Sequence, residues 1–207
     1  MLNSTSAKLF IVRFTIAMLL ISFAGAGAYW WRISQPLPIP EHLQDLGGDF
    51  VLQSADGPLA LHDLYGKVVL LYFGYMNCPD ACPLTMTNWA EAFNQLEKTE
   101  ADKVRGLFVS VDPGRDTPKA LKEYTDYFHT NILGVTGSHA ELSKITLMFR
   151  SDYTLVDDGD QGGYTVEHMS FVYVIDPKGR VRDLLTHESL PVDIVKSIRN
   201  ALKVKVS

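Results

Sequence analysis

The strongest constraint on the fold is a nearly continuous apolar run, KVVLLYFGY, at residues 67–75. It is rich in β-branched and aromatic residues and shows no alternation of polar and apolar positions, which is typical of a strand buried on both faces. A second run of this kind, VRGLFVSVD, occupies residues 104–112. Because such strands need other elements packed on both sides of their sheet, the two runs predict an α/β domain.

The rest of the chain supplies helices and further strands. Apolar spacing predicts four helices, over residues 84–98, 118–129, 138–150 and 191–203. One hairpin is predicted to turn at Asp56-Gly57, and a late strand over residues 170–176 leads through the turn DPKG into another strand. A late hairpin beside alternating strands and helices predicts that the central sheet is mixed.

The N-terminus contains eighteen residues without a charge, FTIAMLLISFAGAGAYWW, at residues 14–31. This length suits a helix that crosses a bilayer, and the aromatic residues at its end are typical of a membrane interface. Lys8 and Arg13 lie before or at the start of the apolar segment, whereas acidic residues follow it at 41–49. The positive-inside rule therefore predicts a cytoplasmic N-terminus and an exported domain.

A cleaved signal peptide is the alternative interpretation, because the small residues at 24–28 fit an A-x-A cleavage site. The apolar run continues past that site, which favours an uncleaved anchor. In both cases the domain lies outside the cytosol, and we expect a single-pass protein of the bacterial inner membrane with its C-terminal domain in the periplasm. Acids and bases are interspersed at a net charge of −5, which argues against a nucleic-acid partner.

The two cysteines, Cys78 and Cys82, lie between the first buried strand and a helix predicted to begin near Pro83. Ligands of such sheets bind beyond the carboxyl ends of strands. Residues four apart can direct both sulfur atoms at one point, and a helix N-terminus lowers the pKa of a thiol. Thiolates attack disulfides and bind metals, so the position predicts disulfide exchange or a metal site.

A purely structural disulfide is a third alternative for this pair. The loop that it would close is so short that the chain-entropy gain is roughly 2 kcal/mol, compared with about 4.7 kcal/mol for a hundred-residue loop. Structural zinc is a further candidate, but it needs four protein ligands, which two cysteines and scattered histidines supply poorly.

Three motifs occur in order along the chain. They are CPDACP at residues 78–83, SVDPGRDTP at 110–118 and YTVEHMSFVYVIDPKGR at 164–180. Together they resemble the Sco (SenC) family of membrane-anchored copper proteins, and the resemblance covers about residues 45–203. It implies a thioredoxin-like fold.

The resemblance also implies that Cys78, Cys82 and His168 bind the metal. The donor set agrees, because thiolates suit Cu(I) and an added imidazole lets the same site hold Cu(II). Three protein ligands leave a position open for transfer, and the resemblance implies that the recipient is a copper-accepting subunit of a cytochrome c oxidase. Oxidation of the two thiols would remove them as ligands, so copper affinity should depend on redox state.

The predicted organisation has four segments. They are a short cytoplasmic N-terminus at residues 1–8, a transmembrane anchor at 9–31, a proline-rich spacer at 32–47 and a thioredoxin-like copper-binding domain at 48–207.

The alternative function is that of a membrane-anchored thiol–disulfide oxidoreductase with Cys78 and Cys82 as its redox pair, which reduces the recipient's cysteines. Such chemistry does not require His168. A thiol peroxidase is less well supported, because peroxidases of this fold place a threonine where this chain has Tyr75. The loop at residues 112–118 has the residue types of turns and caps. The resemblance places it near the metal, where it is a candidate for docking a partner.

Overall fold

The structure, a computed structural model, describes residues 4–157 and 164–204 of the 207-residue chain. The chain divides into two units, the second of which begins at Leu37.

The first unit consists mainly of one helix, α1, at Ser4–Ser34. Its segment Ile16–Ser34 is long and apolar enough to cross a membrane, with a mean hydropathy of 1.3. Large apolar side chains such as Leu20 and Phe23 are exposed along it. The predicted N-terminal apolar helix is therefore present.

The second unit contains nine strands and five helices among the described residues. The strands are β1 Val51–Ser54, β2 Gly57–Ala60, β3 Val68–Gly74, β4 Val104–Ser110, β5 Ile132–Val135, β6 Tyr153–Asp157, β7 Tyr164–His168, β8 Phe171–Ile175 and β9 Val181–Thr186. The helices are α2 Ala81–Asn94, α3 Lys98–Ala101, α4 Pro118–Phe128, α5 His139–Met148 and α6 Pro191–Leu202. Short 3-10 helices lie at Glu41–Leu43 and Leu61–Leu64.

The central sheet has the strand order β5-β4-β3-β8-β9. β3, β4 and β5 run parallel, whereas β8 pairs antiparallel with both β3 and β9, so the prediction of a mixed sheet is confirmed. Every residue of β3 is buried, as its unbroken apolar run predicted. The first hairpin also turns where expected, with Ser54 paired to Gly57.

Two apolar layers cover the sheet, and β3 contributes to both because successive side chains point to opposite faces. Leu70 and Tyr72 pack in the layer formed by α2, α4 and α6. Leu71 and Phe73 pack in the layer that includes α5 and the β1–β2 hairpin. Cys78 contacts both layers, which places it where they meet.

Several elements differ from the prediction. The helix expected over residues 84–98 begins earlier, at Ala81, and is followed by the separate short helix α3. β5 and the β6–β7 hairpin were not predicted from the sequence. They are strands of four or five residues whose pairing partners lie in other segments of the chain or across the hairpin.

Candidate metal centre

The cysteine loop, residues 75–80, connects β3 to α2. The Cys78 amide donates a hydrogen bond to the Tyr75 carbonyl oxygen at 3.3 Å, which curls the loop back toward the strand. Cys82 is the second residue of α2 and is fully buried, whereas Cys78 is partly exposed. A glycine at position 74 makes this possible, since a Cβ there would lie 2.8 Å from the Cys82 Sγ atom.

Both cysteines are thiols in this structure. The pKa of Cys82 is raised well above its ordinary value. The largest cause is a hydrogen bond with Cys78, and the second is burial of the thiol. The sequence-based expectation of a lowered thiol pKa is therefore wrong for Cys82. The helix N-terminus favours a thiolate, but a buried sulfur beside a second sulfur loses more by giving up its proton.

Tyr72 lies directly beneath Cys82. The Cys82 thiol donates to the Tyr72 hydroxyl oxygen, with 3.9 Å between the two heavy atoms. Tyr72 is itself fully buried, and burial raises the pKa of its hydroxyl. The phenol therefore keeps its proton and can act as the donor whenever Cys82 becomes a thiolate. No sequence motif pointed to this contact, because Tyr72 was predicted only as core.

Asp116 fixes the start of the cysteine loop. Its carboxylate accepts hydrogen bonds from the Met76 amide at 2.9 Å and from the Ser110 hydroxyl at 2.6 Å. The residue is only 2% exposed, and burial raises the pKa of its carboxyl group. The loop that contains Cys78 is therefore tied to the end of β4.

Asp112 binds a different segment. It accepts a hydrogen bond from the Tyr164 hydroxyl at 2.6 Å and another from the Arg115 side chain. Like Asp116, Asp112 is buried, with 1% of the residue exposed. Both carboxylates are buried and hydrogen-bonded within the domain, so a partner that docks on this loop would have to contact its other side chains.

His168 is the last residue of β7, and its backbone pairs with Tyr153 of β6. Its side chain lies outside the part of the chain that the structure describes. Only Met169 and Ser170 separate it from β8, where Val172 pairs with Tyr72 of β3. The antiparallel pairing places the start of β8 beside the carboxyl end of β3. The His168 backbone therefore lies at the same end of the sheet as the cysteine loop.

Among the described side chains, no group of three or more His, Cys, Asp or Glu residues could hold a metal ion. The predicted third ligand, His168, is not among those side chains. The assignment of Cys78, Cys82 and His168 as one ligand set stays a prediction.

Comparison with known proteins identifies the family. The SCO1/SenC family model matches residues 40–203. The chain belongs to the SCO1/SenC family. Its curated relatives include a SCO2-like protein of Rickettsia conorii, which is 34% identical over 187 residues that cover 85% of this chain and 91% of the relative.

Solved structures of Sco proteins share the fold. ScoI of Bradyrhizobium japonicum with copper bound superposes with a TM-score of 0.69 at 33% identity, covering 76% of this Sco-family chain and 99% of that one. Yeast Sco1 with copper bound gives a TM-score of 0.70 at 34% identity, covering 78% and 91%. The predicted family and the thioredoxin-like α/β fold are thus confirmed.

A third structure concerns redox chemistry. BsSco, described as having a disulfide switch and as a member of the Sco family of cytochrome c oxidase assembly proteins, gives a TM-score of 0.64 at 29% identity. The match covers 82% of this chain and 100% of BsSco.

Proposed function

We propose that this Sco-family protein binds copper through Cys78, Cys82 and His168 and delivers it to a copper-accepting subunit of a cytochrome c oxidase. The observation that supports the proposal best is the pair of neighbouring thiols at the carboxyl end of β3, in a chain whose solved relatives include copper-bound Sco proteins.

The residues present fit copper as a transferable cargo. Two thiolates are soft ligands that suit Cu(I), and an imidazole adds affinity for Cu(II). A three-ligand site leaves room for a ligand of the recipient to enter before the donor's ligands leave. Because Cys78 is partly exposed and Cys82 is buried, exchange would start at Cys78.

Protons take part in loading. Thiols must lose their protons to bind a metal, so copper uptake releases protons. The Cys82 thiol holds its proton tightly in the metal-free protein. Tyr72 then supplies a hydrogen bond to the buried sulfur once that proton has gone, which partly offsets the cost of a buried anion.

The proposal places the protein at a membrane. α1 anchors the chain in the bacterial inner membrane, with residues 1–8 in the cytoplasm, 9–31 across the bilayer and 32–47 as a spacer. The domain at residues 48–207 faces the periplasm, where the recipient subunit would also expose its copper site. The exposed apolar surface of α1 supports this arrangement.

A second candidate function is thiol–disulfide exchange on the recipient's cysteines. The half-buried Cys78 thiolate would attack a disulfide of the recipient, form a mixed disulfide and release one recipient thiolate. Cys82 would then attack the Cys78 sulfur, which releases the second recipient thiolate and leaves a Cys78–Cys82 disulfide. The neighbouring thiols and the disulfide switch described for BsSco favour this candidate.

The deciding experiment uses the full chain in detergent, fully reduced and supplied with copper without oxygen. Bound copper per chain and its affinity are measured for the parent, for His168→Ala and for protein with alkylated cysteines. His42→Ala serves as the control, because His42 is exposed in a short 3-10 helix.

One tightly held copper that needs the thiols and His168, but not His42, is the expected result. Absence of copper above the alkylated blank in the parent would contradict the copper proposal and favour disulfide exchange. Copper binding that is unchanged in His168→Ala would show that the ligand set is wrong.

A further inference from the structure

We infer that Arg115 and Tyr164 form a latch that positions the His168-bearing strand β7 against the cysteine loop. They act as positioning residues for the metal site. The inference deepens the proposed copper function and rests on it for the metal, although the mechanical part concerns the metal-free chain alone.

Three contacts make up the latch, and all of them hold Tyr164, the first residue of β7. The Tyr164 hydroxyl donates to Asp112 at 2.6 Å. The Arg115 guanidinium donates to the Tyr164 carbonyl oxygen at 2.9 Å. The same guanidinium lies over the Tyr164 ring, with its Cζ atom 3.9 Å from the ring centre. Backbone, ring and hydroxyl are thus all held at once.

The latch holds a hairpin whose own strand pairing contributes little stability. β6 and β7 form a separate two-stranded sheet outside the five-stranded one. A two-stranded hairpin is marginally stable by itself, so side-chain contacts decide where it sits. Among the described side chains of this hairpin, Val166 is buried, and Tyr153 and Tyr164 are partly buried against the same apolar layer. Val166 anchors the middle of β7, and the latch fixes its first residue.

Restraint at Tyr164 reaches His168 through the strand. The two residues are the ends of one five-residue strand, about 13 Å apart at the usual rise per residue. An extended strand paired to a neighbour moves as a unit. Restraint of Tyr164 therefore limits displacement of the His168 backbone.

The other end of the latch leads to the cysteines. The Asp116 amide donates to the Asp112 carbonyl oxygen at 2.9 Å, so the two aspartates belong to one tight turn. Asp112 binds Tyr164, and Asp116 binds the Met76 amide in the cysteine loop. One short turn therefore sets the distance between the segments that carry the two kinds of ligand.

The first test measures hydrogen exchange of the β7 amides in the metal-free full chain. Tyr164→Phe keeps the ring but removes the hydrogen bond to Asp112, and Arg115→Gln removes the guanidinium. Both should speed exchange in β7 about tenfold, whereas β3 and β8 should be unaffected.

Matched controls lie elsewhere in the domain. Arg180→Gln removes a guanidinium that pairs with the buried Asp176 at 3.0 Å, beyond the far end of β8. Tyr127→Phe removes a hydroxyl from a tyrosine that is 84% exposed. Neither control should change exchange in β7. Exchange in β7 that is equal in the parent and in both latch variants would overturn the inference.

The second test measures copper affinity. If the latch acts through His168, the latch variants should weaken Cu(II) binding about tenfold and Cu(I) binding less than about threefold, because the imidazole matters most for Cu(II). In a His168→Ala background, Tyr164→Phe should have no further effect, which is the expected result of a double-mutant cycle for residues that act together.

Equal losses for both oxidation states, or losses that add to that of His168→Ala, would overturn the inference, since they indicate a general effect on the fold. A parent that binds no copper contradicts the proposed function instead. In that case the exchange measurement still decides whether the latch holds β7.

Discussion

The two ends of the central sheet both hold buried aspartates beside an arginine, but these aspartates bind different kinds of partner. At the carboxyl end of β3, Asp112 binds Tyr164, which is 52 positions away in the chain. Asp116 binds the Met76 amide, 40 positions away. At the opposite end, Asp176 accepts hydrogen bonds from Lys178 and Arg180, two and four positions later.

The difference separates a structural role from a functional one. The Asp176 end is a self-contained turn, whose hydrogen bonds close the β8–β9 hairpin. The Asp112 and Asp116 end joins the cysteine loop to the strand that ends at His168. The same residue types therefore stabilise one turn locally and hold distant segments of the proposed metal site together.

The largest expected effect is on copper. Cys82→Ala should weaken copper binding by more than about a hundredfold. Replacing a residue that only supports a metal ligand already lowers metal affinity about 10–100-fold, and loss of a ligand itself should cost more. Arg180→Ala, at the opposite end of the sheet, should leave copper affinity unchanged. Competition with a copper chelator measures both. Equal copper affinity in the Cys82→Ala variant and the parent would show that the Asp112 and Asp116 end of the sheet does not hold the copper site.

A paired replacement of aspartates should separate stability from binding. Asp116→Ala leaves the buried Ser110 hydroxyl and the partly buried Met76 amide without their acceptor, and should lower the free energy of unfolding by about 2–4 kcal/mol. Asp176→Ala should cost less, about 1–2 kcal/mol, because its amide donors are partly exposed and can bind water. Urea unfolding measures the energies, and only Asp116→Ala should also weaken copper binding. A copper defect in Asp176→Ala would contradict the comparison.

Two glycines, one at each end of the sheet, allow the ends to be compared by adding a methyl group. Gly74→Ala places a Cβ 2.8 Å from both the Cys82 sulfur and the Phe108 ring, and should cost about 1–3 kcal/mol. Gly179→Ala meets the Tyr65 ring at 2.6 Å and a φ of +81°, and should cost about as much.

Only Gly74→Ala should also change the rate at which the thiols react with an alkylating reagent. Thermal unfolding and thiol modification, measured on both variants, distinguish the two ends. Altered thiol reactivity in Gly179→Ala would show that the ends are coupled.

The smallest effect is a pH dependence of the metal-free protein. The pKa of Cys82 is raised on folding, so its neutral form is favoured in the folded state. The associated stability is complete below the unfolded thiol pKa of about 8.5 and is lost as pH rises, by about 1.4 kcal/mol at pH 9.5. Unfolding measured from pH 8 to 9.5 should show this slope in the parent and a flatter one in Cys82→Ala. A pH dependence of unfolding that is equal or steeper in Cys82→Ala than in the parent would contradict the assignment of this slope to Cys82.

Much of the fold could be predicted from local sequence patterns. β3 and β4 are nearly continuous apolar runs, and α4 is preceded by its N-cap Thr117, whose hydroxyl accepts a hydrogen bond from the Ala120 amide at 3.3 Å. β5 and β6 were not predicted from the sequence, because their pairing depends on partners elsewhere in the chain.

The sequence by itself determined the family, the apolar N-terminal helix and the candidate ligands Cys78, Cys82 and His168, because motifs and long apolar runs are local properties. Only the tertiary structure decided that Cys82 is buried with a raised pKa and that Tyr72 lies beneath it. It also decided that Tyr164 is held by Asp112. Burial and long-range hydrogen bonds depend on which segments the fold brings together, and no local pattern records that.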